Sequence, residues 1–446
     1  MSRDRFADWA FGRALTPARP LLLRAAVVVV LFAAGIVVTI GRLPREQRNV
    51  LWSEDGNQFL AGAFHADYLT NLFTPYAGYM HFLPRTAAQI VEGVVPTGYL
   101  GLGMNLAGAA VWSAAALAAF VFTRDRVQVP LRALLWILVL IVPIGSMEVA
   151  TNTSNSHWFL MFGLFMALSA RSGGVARTVF AAALVAAAVM SDPLALAFLP
   201  LVVARALALP RLRENIVSIA FVAAGVVQVL VALGTERDRG EPQLQPGPMA
   251  ATYLVRVVWG DLVGQVDGTR LYAELGRQPV VFLAAAAMVV LAALIALRWR
   301  RSGLAAVALA GSLGFYAVTA VLTWASLGRQ EPGVEVFLGG RYLVVPSLLL
   351  IVAIVATVSM WLPGPEARGA RRVVRIVVAL VVAAALIAPG ILNYRTPDNK
   401  AGVPELSTSV PGFRAACEAR PHSSVDVPIA PPGFTFSVPC ERILAD

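Results

Sequence analysis

Long apolar runs separated by short polar segments repeat along the whole chain of 446 residues. Most of these runs approach the ~20 residues that a helix needs to cross a bilayer. They lie at about 25–40, 99–122, 131–146, 157–170, 176–190, 194–209, 216–234, 279–297, 303–324, 342–361 and 374–392. The pattern predicts an all-α polytopic membrane protein with about 11 transmembrane helices.

The same pattern divides the chain into three parts. Residues 1–24 form an N-terminal tail, 25–392 a transmembrane bundle, and 393–446 a small C-terminal domain. Basic residues precede the first apolar run, as in a signal peptide, but "GRLPREQ" follows that run without a small-x-small cleavage site. We therefore expect an uncleaved membrane anchor.

Composition supports the membrane assignment, because 58% of the residues are hydrophobic, only 14% are charged, and the mean hydropathy is +0.71. The formal net charge is +10. If the N-terminus is cytoplasmic and the helices alternate, the inner segments hold 20 of the 36 basic residues with five acids, and the outer segments hold 16 basic residues with 21 acids. The charge therefore follows the positive-inside rule, and we exclude nucleic acid as a partner.

This orientation places the N-terminus inside and the C-terminus outside. The preference for arginine over lysine, with Lys400 as the single lysine, and the alanine-rich spans predict the cytoplasmic membrane of a bacterium. The larger polar segments at 41–98, 146–157, 235–278 and 393–446 all fall on the outer face. We expect any chemistry to occur there.

The first outer loop, 41–98, carries the acidic pair Glu54-Asp55 in "LWSEDGNQFL". Apolar residues then recur at three- and four-residue spacing, which predicts helices at about 57–73 and 84–95 lying along the membrane interface. One interpretation makes Asp55 or Ser53 the N-cap of the first interfacial helix. The other makes Asp55 a general base, with Glu54 orienting it or holding a metal.

Further outer polar residues could bind a substrate. The turn "TPYAGYMHFLPR" combines Tyr79, His81 and Arg85, and the second outer loop and the turn after the fifth span add others. Amides, acids and aromatic rings of this kind hold sugar hydroxyls, although turns and helix caps use the same residues. The remaining candidates are Glu148, Asn155, His157 and Asp192.

The C-terminal domain contains the two cysteines of the chain, Cys417 and Cys440. A disulfide between them is permitted outside the cytoplasm, and it would stabilise the domain by roughly 3 kcal/mol. Weak alternation in "SSVDVPIAP" and "GFTFSVPC" predicts short strands. Two reduced cysteines in a loose tail are the alternative.

The acidic pair opening the first outer loop, the interfacial helices after it and the small outer C-terminal domain resemble the GT-C superfamily of integral membrane glycosyltransferases. "PYAGYMHFLPR" and "GGRYLVVPSLLL" are also similar to stretches of actinobacterial GT-C-type proteins. The resemblance implies a sugar donor on a polyprenyl phosphate and inversion at the anomeric carbon. It also implies that Asp55 activates the acceptor with Glu54 as its partner. The carboxylates are adjacent rather than in a DxD triplet, so a divalent metal on Glu54 and Asp55 stays open.

Such a donor needs cationic groups at the outer bilayer edge to bind its phosphate. Arg341 in "FLGGRYLVVP" is the first candidate and Arg85 the second, because a guanidinium can donate two charge-assisted hydrogen bonds to a phosphate. The alternatives are an interfacial anchor beside Tyr342 for Arg341, and a pair with Glu92 or with lipid phosphate for Arg85.

We therefore expect a transferase that moves a sugar from a polyprenyl-phosphate-linked donor to an extracytoplasmic glycan, lipid or protein acceptor of the cell envelope. A lipid-linked glycan polymerase or ligase, or a flippase or transporter, is the alternative. Ionisable residues are rare within the spans, which argues against ion-coupled transport. A non-enzymatic membrane scaffold would leave the acidic pair as a cap alone.

Overall fold

The structure is a computed structural model that describes residues 2–13, 21–145, 149–235, 242–327, 340–362, 368–395 and 400–445. The described chain is mostly helical with one two-stranded sheet. In the first half the helices are α1 (Arg3–Phe11), α2 (Leu21–Ile40), α3 (Ala61–His65), α4 (Tyr68–Phe73), α5 (Phe82–Val94), α6 (Leu100–Phe122), α7 (Val129–Leu140), α8 (His157–Leu168), α9 (Val175–Ser191), α10 (Leu199–Ala208) and α11 (Leu212–Leu233).

The second half continues the helical arrangement and ends in the small mixed domain. Its elements are α12 (Pro246–Thr252), α13 (Gly260–Val263), α14 (Gln265–Leu275), α15 (Arg277–Leu297), α16 (Gly303–Leu327), α17 (Val344–Trp361), α18 (Ala370–Leu392), α19 (Leu406–Ala419), β1 (Ser424–Ile429), β2 (Phe434–Pro439) and α20 (Cys440–Ala445). Two π-helical segments, Asp55–Leu60 and Tyr253–Trp259, run directly into α3 and α13.

Six helices in the described ranges are long and apolar enough to cross a membrane. They are Thr97–Phe122, Leu212–Leu233, Arg277–Leu297, Gly303–Trp324, Gly340–Trp361 and Arg372–Leu392. Shorter apolar helices are Ala25–Ile40, Val129–Leu140, His157–Leu168, Val175–Ser191 and Pro193–Ala208. These helices indicate a membrane-embedded protein.

The centre of the bundle is formed by α8 and α17. All the side chains of α8 are buried, and 83% of the apolar window of α17 is buried. By contrast, only 22% of the apolar stretch of α15 and 17% of that of α18 are buried inside the protein. Because a membrane span can expose its apolar side chains to lipid, α15 and α18 fit the periphery of the bundle.

The first outer loop is helical, but its first predicted helix is divided. The chain follows the π-helical segment into α3, breaks at 66–67, and restarts as α4. Asp67 begins α4, because its Oδ1 accepts hydrogen bonds from the backbone N–H groups of Leu69 (3.0 Å) and Thr70 (3.1 Å). The expected single helix over 57–73 is therefore wrong. The second expected helix corresponds to α5.

The C-terminal domain packs α19 and α20 against the antiparallel pair β1–β2, in the register Ser424↔Pro439 to Ile429↔Phe434. A disulfide joins Cys417 at the end of α19 to Cys440 at the start of α20.

This domain lies directly on the first outer loop. The Ala430 N–H donates to the Leu51 carbonyl at 2.8 Å, and Phe436 stacks on Phe64 with ring centroids 5.6 Å apart. A side chain at Gly56 would come within 3.1 Å of Ile429. The glycine next to the acidic pair therefore allows the C-terminal domain to approach the π-helical segment closely.

Candidate active site

The two adjacent carboxylates face different surroundings because consecutive residues on a helix point in different directions. Asp55 is completely buried at the start of the π-helical segment. Its Oδ1 accepts hydrogen bonds from Thr153 Oγ1 (2.7 Å) and the Ser154 N–H (2.8 Å), and its Oδ2 accepts one from the Thr153 N–H (3.1 Å). Asp55 thus fastens the second outer loop to the first, and it does not cap the helix that follows it.

The same surroundings set the protonation of Asp55. Burial raises its pKa to about 6, against the opposing effects of the Thr153 hydroxyl, the charge of Lys400 and the backbone N–H groups of Thr153 and Ser154. The carboxyl group therefore titrates close to neutral pH.

Lys400 is a buried lysine whose charge acts on Asp55. It is only 1% exposed, and its Nζ donates to Asn105 Oδ1 at 2.7 Å. Asn105 Nδ2 in turn donates to the carbonyls of Arg48 and Val50, each at 3.0 Å. Lys400 was not predicted to belong to the site. The sequence feature that could have singled it out is that it is the single lysine in a chain that otherwise uses arginine.

Glu54 is only partly buried, unlike its neighbour. Its Oε2 accepts no hydrogen bond from any residue that the structure describes. The pKa of Tyr76 is raised by burial first and by the charge of Glu54 second, whereas Arg341 lowers it. The Tyr76 hydroxyl therefore lies within electrostatic reach of both a carboxylate and a guanidinium.

Tyr76 and Tyr79 frame a tight turn that presents aromatic rings beside Glu54. The two residues exchange backbone hydrogen bonds of 3.1 and 3.2 Å, and the residues between them, Ala77 and Gly78, both have positive φ. His81 stacks on Tyr79 with ring centroids 4.2 Å apart and lies 5.4 Å from the ring of Tyr76. The structure thus brings the predicted residues Tyr79 and His81 together.

A buried amide in α11 holds this turn in place. Gln228 accepts a hydrogen bond from the Met80 N–H at 3.1 Å and donates to the Met80 carbonyl at 3.2 Å. Gln228 is completely buried. A polar residue in the apolar C-terminal half of α11 therefore supports the first outer loop.

Arg85 lies inside the first outer loop and is only 3% exposed. Its Nη1 donates to Asn71 Oδ1, and its guanidinium lies 5.7 Å from the centre of the Phe59 ring. Burial lowers the pKa of Arg85 to about 10. Its contacts favour a role in packing the loop. Glu92, its alternative partner, pairs instead with Arg442 of the C-terminal domain.

The second outer loop is organised by its own amides. Asn152 Oδ1 accepts hydrogen bonds from the Asn155 N–H (2.9 Å) and from Ser154 Oγ (3.0 Å). The loop crosses α6 at Gly108, where a Cβ atom would lie 2.6 Å from the Thr151 carbonyl oxygen. Asn155 is buried beside the residues that bind Asp55. Glu148 lies outside the described residues.

His157 and Asp192, two predicted substrate-binding residues, are in direct contact. His157 Nε2 lies 3.2 Å from Asp192 Oδ2, and Asp192 Oδ1 accepts a hydrogen bond from the Leu194 N–H at 2.7 Å. Asp192 therefore caps the helical turn that begins at Pro193, as expected, and also pairs with His157. Both residues are buried.

Arg341 connects these two groups of residues. It is partly exposed in the helical turn Gly340–Leu343, and its guanidinium lies 5.0 Å from the centre of the Tyr342 ring. Tyr342 packs edge-on against Trp158 at 5.4 Å, next to His157. The charge of Arg341 acts on both His157 and Tyr76, so Arg341 lies near the second outer loop and near the aromatic turn.

The described residues contain no group of three or more His, Cys, Asp or Glu side chains that could hold a metal ion. Three hydrogen bonds already use most of the acceptor positions of the Asp55 carboxylate. A divalent metal at Glu54 and Asp55 stays a prediction.

The arrangement combines a partly exposed carboxylate, a partly exposed guanidinium and aromatic rings. Such a set of groups can accept a proton, neutralise an anion and pack against a sugar ring. No protein-family model, curated protein or solved structure matches the chain.

Proposed function

We propose that this chain is a membrane glycosyltransferase of the GT-C type. It would transfer a sugar from a polyprenyl-phosphate-linked donor to an extracytoplasmic glycan, lipid or protein acceptor of the bacterial envelope. The observation that carries the proposal is that Glu54 and Arg341 act on the same tyrosine, Tyr76, next to the buried Asp55.

Arg341 has the position that a phosphate-binding residue requires. It is partly exposed, and it lies at the mouth of α17, a helix long enough to span the membrane. The donor's phosphate would bind there while its prenyl chain stays in the bilayer. The charge of Arg341 would stabilise the phosphate as the bond to the sugar breaks.

The geometry favours Glu54 over Asp55 as the group that takes the acceptor's proton. A general base must contact the hydroxyl that it deprotonates. Asp55 is completely buried and accepts three hydrogen bonds, whereas Glu54 is partly exposed as a residue, and its buried Oε2 has no partner among the described residues. We therefore exchange the two roles that the resemblance implied. Glu54 acts as the base, and Asp55 positions the second outer loop.

Tyr79 would line the sugar position, because its ring is partly exposed whereas His81, His157 and Asp192 are buried. His81 stacks on Tyr79 and would hold that ring against a sugar face, and the His157–Asp192 pair would support the acceptor position from the interior. The attacking oxygen would bond to the anomeric carbon while the donor's phosphate leaves. Its proton would pass to Glu54, and the product would be inverted at that carbon.

We also propose eleven membrane crossings, with the N-terminus inside and the C-terminal domain outside. Six long apolar helices and five shorter ones support this number, and the distribution of arginines supports the orientation. The active site then faces the outside of the cytoplasmic membrane.

The test uses the purified full chain in lipid nanodiscs with a panel of labelled polyprenyl-phosphate sugars and envelope extracts as acceptors. Glu54→Gln should abolish product formation, and Arg341→Ala should raise the KM for the donor. The controls are Glu46→Gln and Arg45→Ala, which remove exposed charges from the same loop. Equal transfer by Glu54→Gln and Glu46→Gln would show that Glu54 is not the base. Movement of intact donor across the bilayer of sealed proteoliposomes, without product, would favour a flippase.

A further inference from the structure

A small cleft lies at the arginine-rich end of the bundle. This end carries α1 and the connections from α6 to α7, α8 to α9, and α10 to α11. The Arg171 N–H donates to the Phe11 carbonyl at 3.0 Å, which joins α1 to the segment after α8. The walls of the cleft include Phe122, Ala170, Arg171, Arg177, Thr178 and Arg205.

Two of the three arginines in this cleft have their guanidinium groups occupied. Arg205 is completely buried and donates to the carbonyls of Leu168, Ala170 and Glu214. Arg171 forms ion pairs with Asp8 at 2.7 Å and with Glu214 at 3.1 Å. These two residues hold the walls of the cleft together.

Arg177 differs from them. Its guanidinium lies 5.3 Å from the centre of the Phe122 ring, and its Nε and Nη2 atoms are buried. Neither atom donates a hydrogen bond to any residue within the described ranges. The charge of Asp125 acts on Arg177, but neither oxygen of that carboxylate accepts a hydrogen bond within the described ranges. A buried donor without an acceptor is costly, so the two N–H groups of Arg177 are open to an acceptor from outside the chain.

The surroundings of Arg177 favour an anion as that acceptor. Six arginines and three acids interact electrostatically around the cleft, which leaves a surplus of positive charge. The arginines are Arg124, Arg126, Arg132, Arg171, Arg177 and Arg205, and the acids are Asp8, Asp125 and Glu214. Two of the acids are already paired with Arg171. The two N–H groups of the Arg177 guanidinium can donate hydrogen bonds to two oxygens of one phosphate group.

The other walls of the cleft are apolar, and its rim continues into exposed apolar surface. Ala167, Ala181 and Val217 line its interior. On the outer surface of α9, Val175 and Val179 are 82% and 62% exposed. The cleft has a volume of only about 10 Å³, so a ligand would place no more than its phosphate oxygens at Arg177. In a membrane the valines of the rim would face acyl chains, so a ligand that bears both a phosphate and an acyl chain would match the cleft and its rim.

We propose that this cleft binds the phosphate of an anionic phospholipid and that Arg177 donates hydrogen bonds to the headgroup. A lipid phosphate and a free phosphate share the same chemistry at Arg177. Only the lipid would also use the apolar rim of α9. The site is separate from the proposed transfer reaction and does not depend on it.

The experiment measures lipid binding to the delipidated full chain by native mass spectrometry. The probes are short-chain phosphatidylglycerol, short-chain phosphatidylcholine and inorganic phosphate. Arg177→Gln should weaken phosphatidylglycerol binding by about tenfold. The control, Arg213→Gln, removes an exposed arginine at the same end and should change the affinity by less than about twofold.

Arg177→Lys provides a second variant that keeps the charge and loses the fork, and it should bind phosphatidylglycerol less tightly than the parent. If both Arg177 variants bind phosphatidylglycerol like the parent, the site is not at Arg177. If inorganic phosphate binds as tightly as phosphatidylglycerol, the assignment to a lipid is overturned. Equal binding of phosphatidylcholine would overturn the preference for an anionic headgroup.

Discussion

Glu54 and Asp55 are neighbours in the chain, but the first is partly exposed and the second is completely buried. A buried carboxylate is tolerated when it accepts hydrogen bonds, and Asp55 accepts three of them from Thr153 and Ser154. At the scale of single residues, the two acids of the pair therefore have different roles. One acid faces the proposed substrate, and the other holds a loop.

The raised pKa of Asp55 predicts a specific effect of pH on stability. The unfolded value is about 3.9 and the folded value about 6, so the folded state binds more protons between these pH values. The contribution of Asp55 to the free energy of unfolding is fully present below about pH 4 and is lost as the pH rises through about 6.

Asp55→Asn removes this titration, so the stability advantage of the parent over the variant should shrink by about 2 kcal/mol between pH 4 and pH 7. Denaturant unfolding of both proteins in mild detergent at several pH values measures this difference. An advantage that grows with pH would contradict the raised pKa of Asp55.

Lys400 predicts a second pH effect, on activity. Its charge lowers the pKa of Asp55, and ionised Asp55 holds the second outer loop. Lys400→Met should therefore move the acidic limb of the transfer rate to higher pH, with near-parental activity well above that limb. Lys400→Arg keeps the charge and serves as the control. An acidic limb that stays at the same pH in Lys400→Met would show that the lysine does not act through Asp55.

At the scale of elements, the first outer loop depends on helices that are distant in sequence. Gln228 in α11 satisfies both backbone groups of Met80, and Ser191 Oγ at the end of α9 accepts a hydrogen bond from the Leu83 N–H at 3.1 Å. The C-terminal domain contacts the loop at Leu51 and Glu92. The aromatic turn and the acidic pair are thus held from several sides.

Gln228→Leu tests this support. It leaves the N–H and the carbonyl of Met80 buried without partners, which should cost about 3 kcal/mol of stability and loosen the turn at 76–79. Hydrogen exchange at 76–81 and denaturant unfolding measure both effects. Val229→Leu, on the exposed face of the same helix, is the control and should leave both unchanged. Parental protection of the turn in Gln228→Leu would show that other contacts hold it.

The sequence predicted the helical class, the membrane-embedded character and the short strands of the C-terminal domain, because these depend on local patterns. The break before α4 was missed, although Asp67 is a good N-cap, because the apolar spacing continues across it. The surroundings of Asp55 could not be predicted, since Thr153 and Ser154 lie about 100 residues away in the chain. The same holds for Lys400 and for the pair of His157 with Asp192.

At the scale of the whole molecule, the two ends of the bundle have different chemistry. One end carries Glu54, Arg341, the aromatic turn and the C-terminal domain, and the other carries the arginine-lined cleft. The two ends of a membrane-spanning bundle lie on opposite sides of the membrane, and eleven crossings would place the N-terminus and the C-terminal domain on opposite sides as well.

Single cysteines introduced into a cysteine-free variant test this topology. A cysteine near Arg3 should be protected from an impermeant maleimide in intact cells, and one at the exposed residue Glu418 should be labelled. Because an even number of crossings would put both positions on the same side, equal labelling would contradict eleven crossings.

The central claim is that Glu54 is the base of a glycosyl transfer at the outer end of the bundle. The most direct measurement is the initial rate of sugar transfer by Glu54→Gln relative to Glu46→Gln, with both proteins purified as folded chains and given the same donor and acceptor. The account predicts a rate at least about a hundredfold lower for Glu54→Gln. Equal rates for the two variants would contradict it.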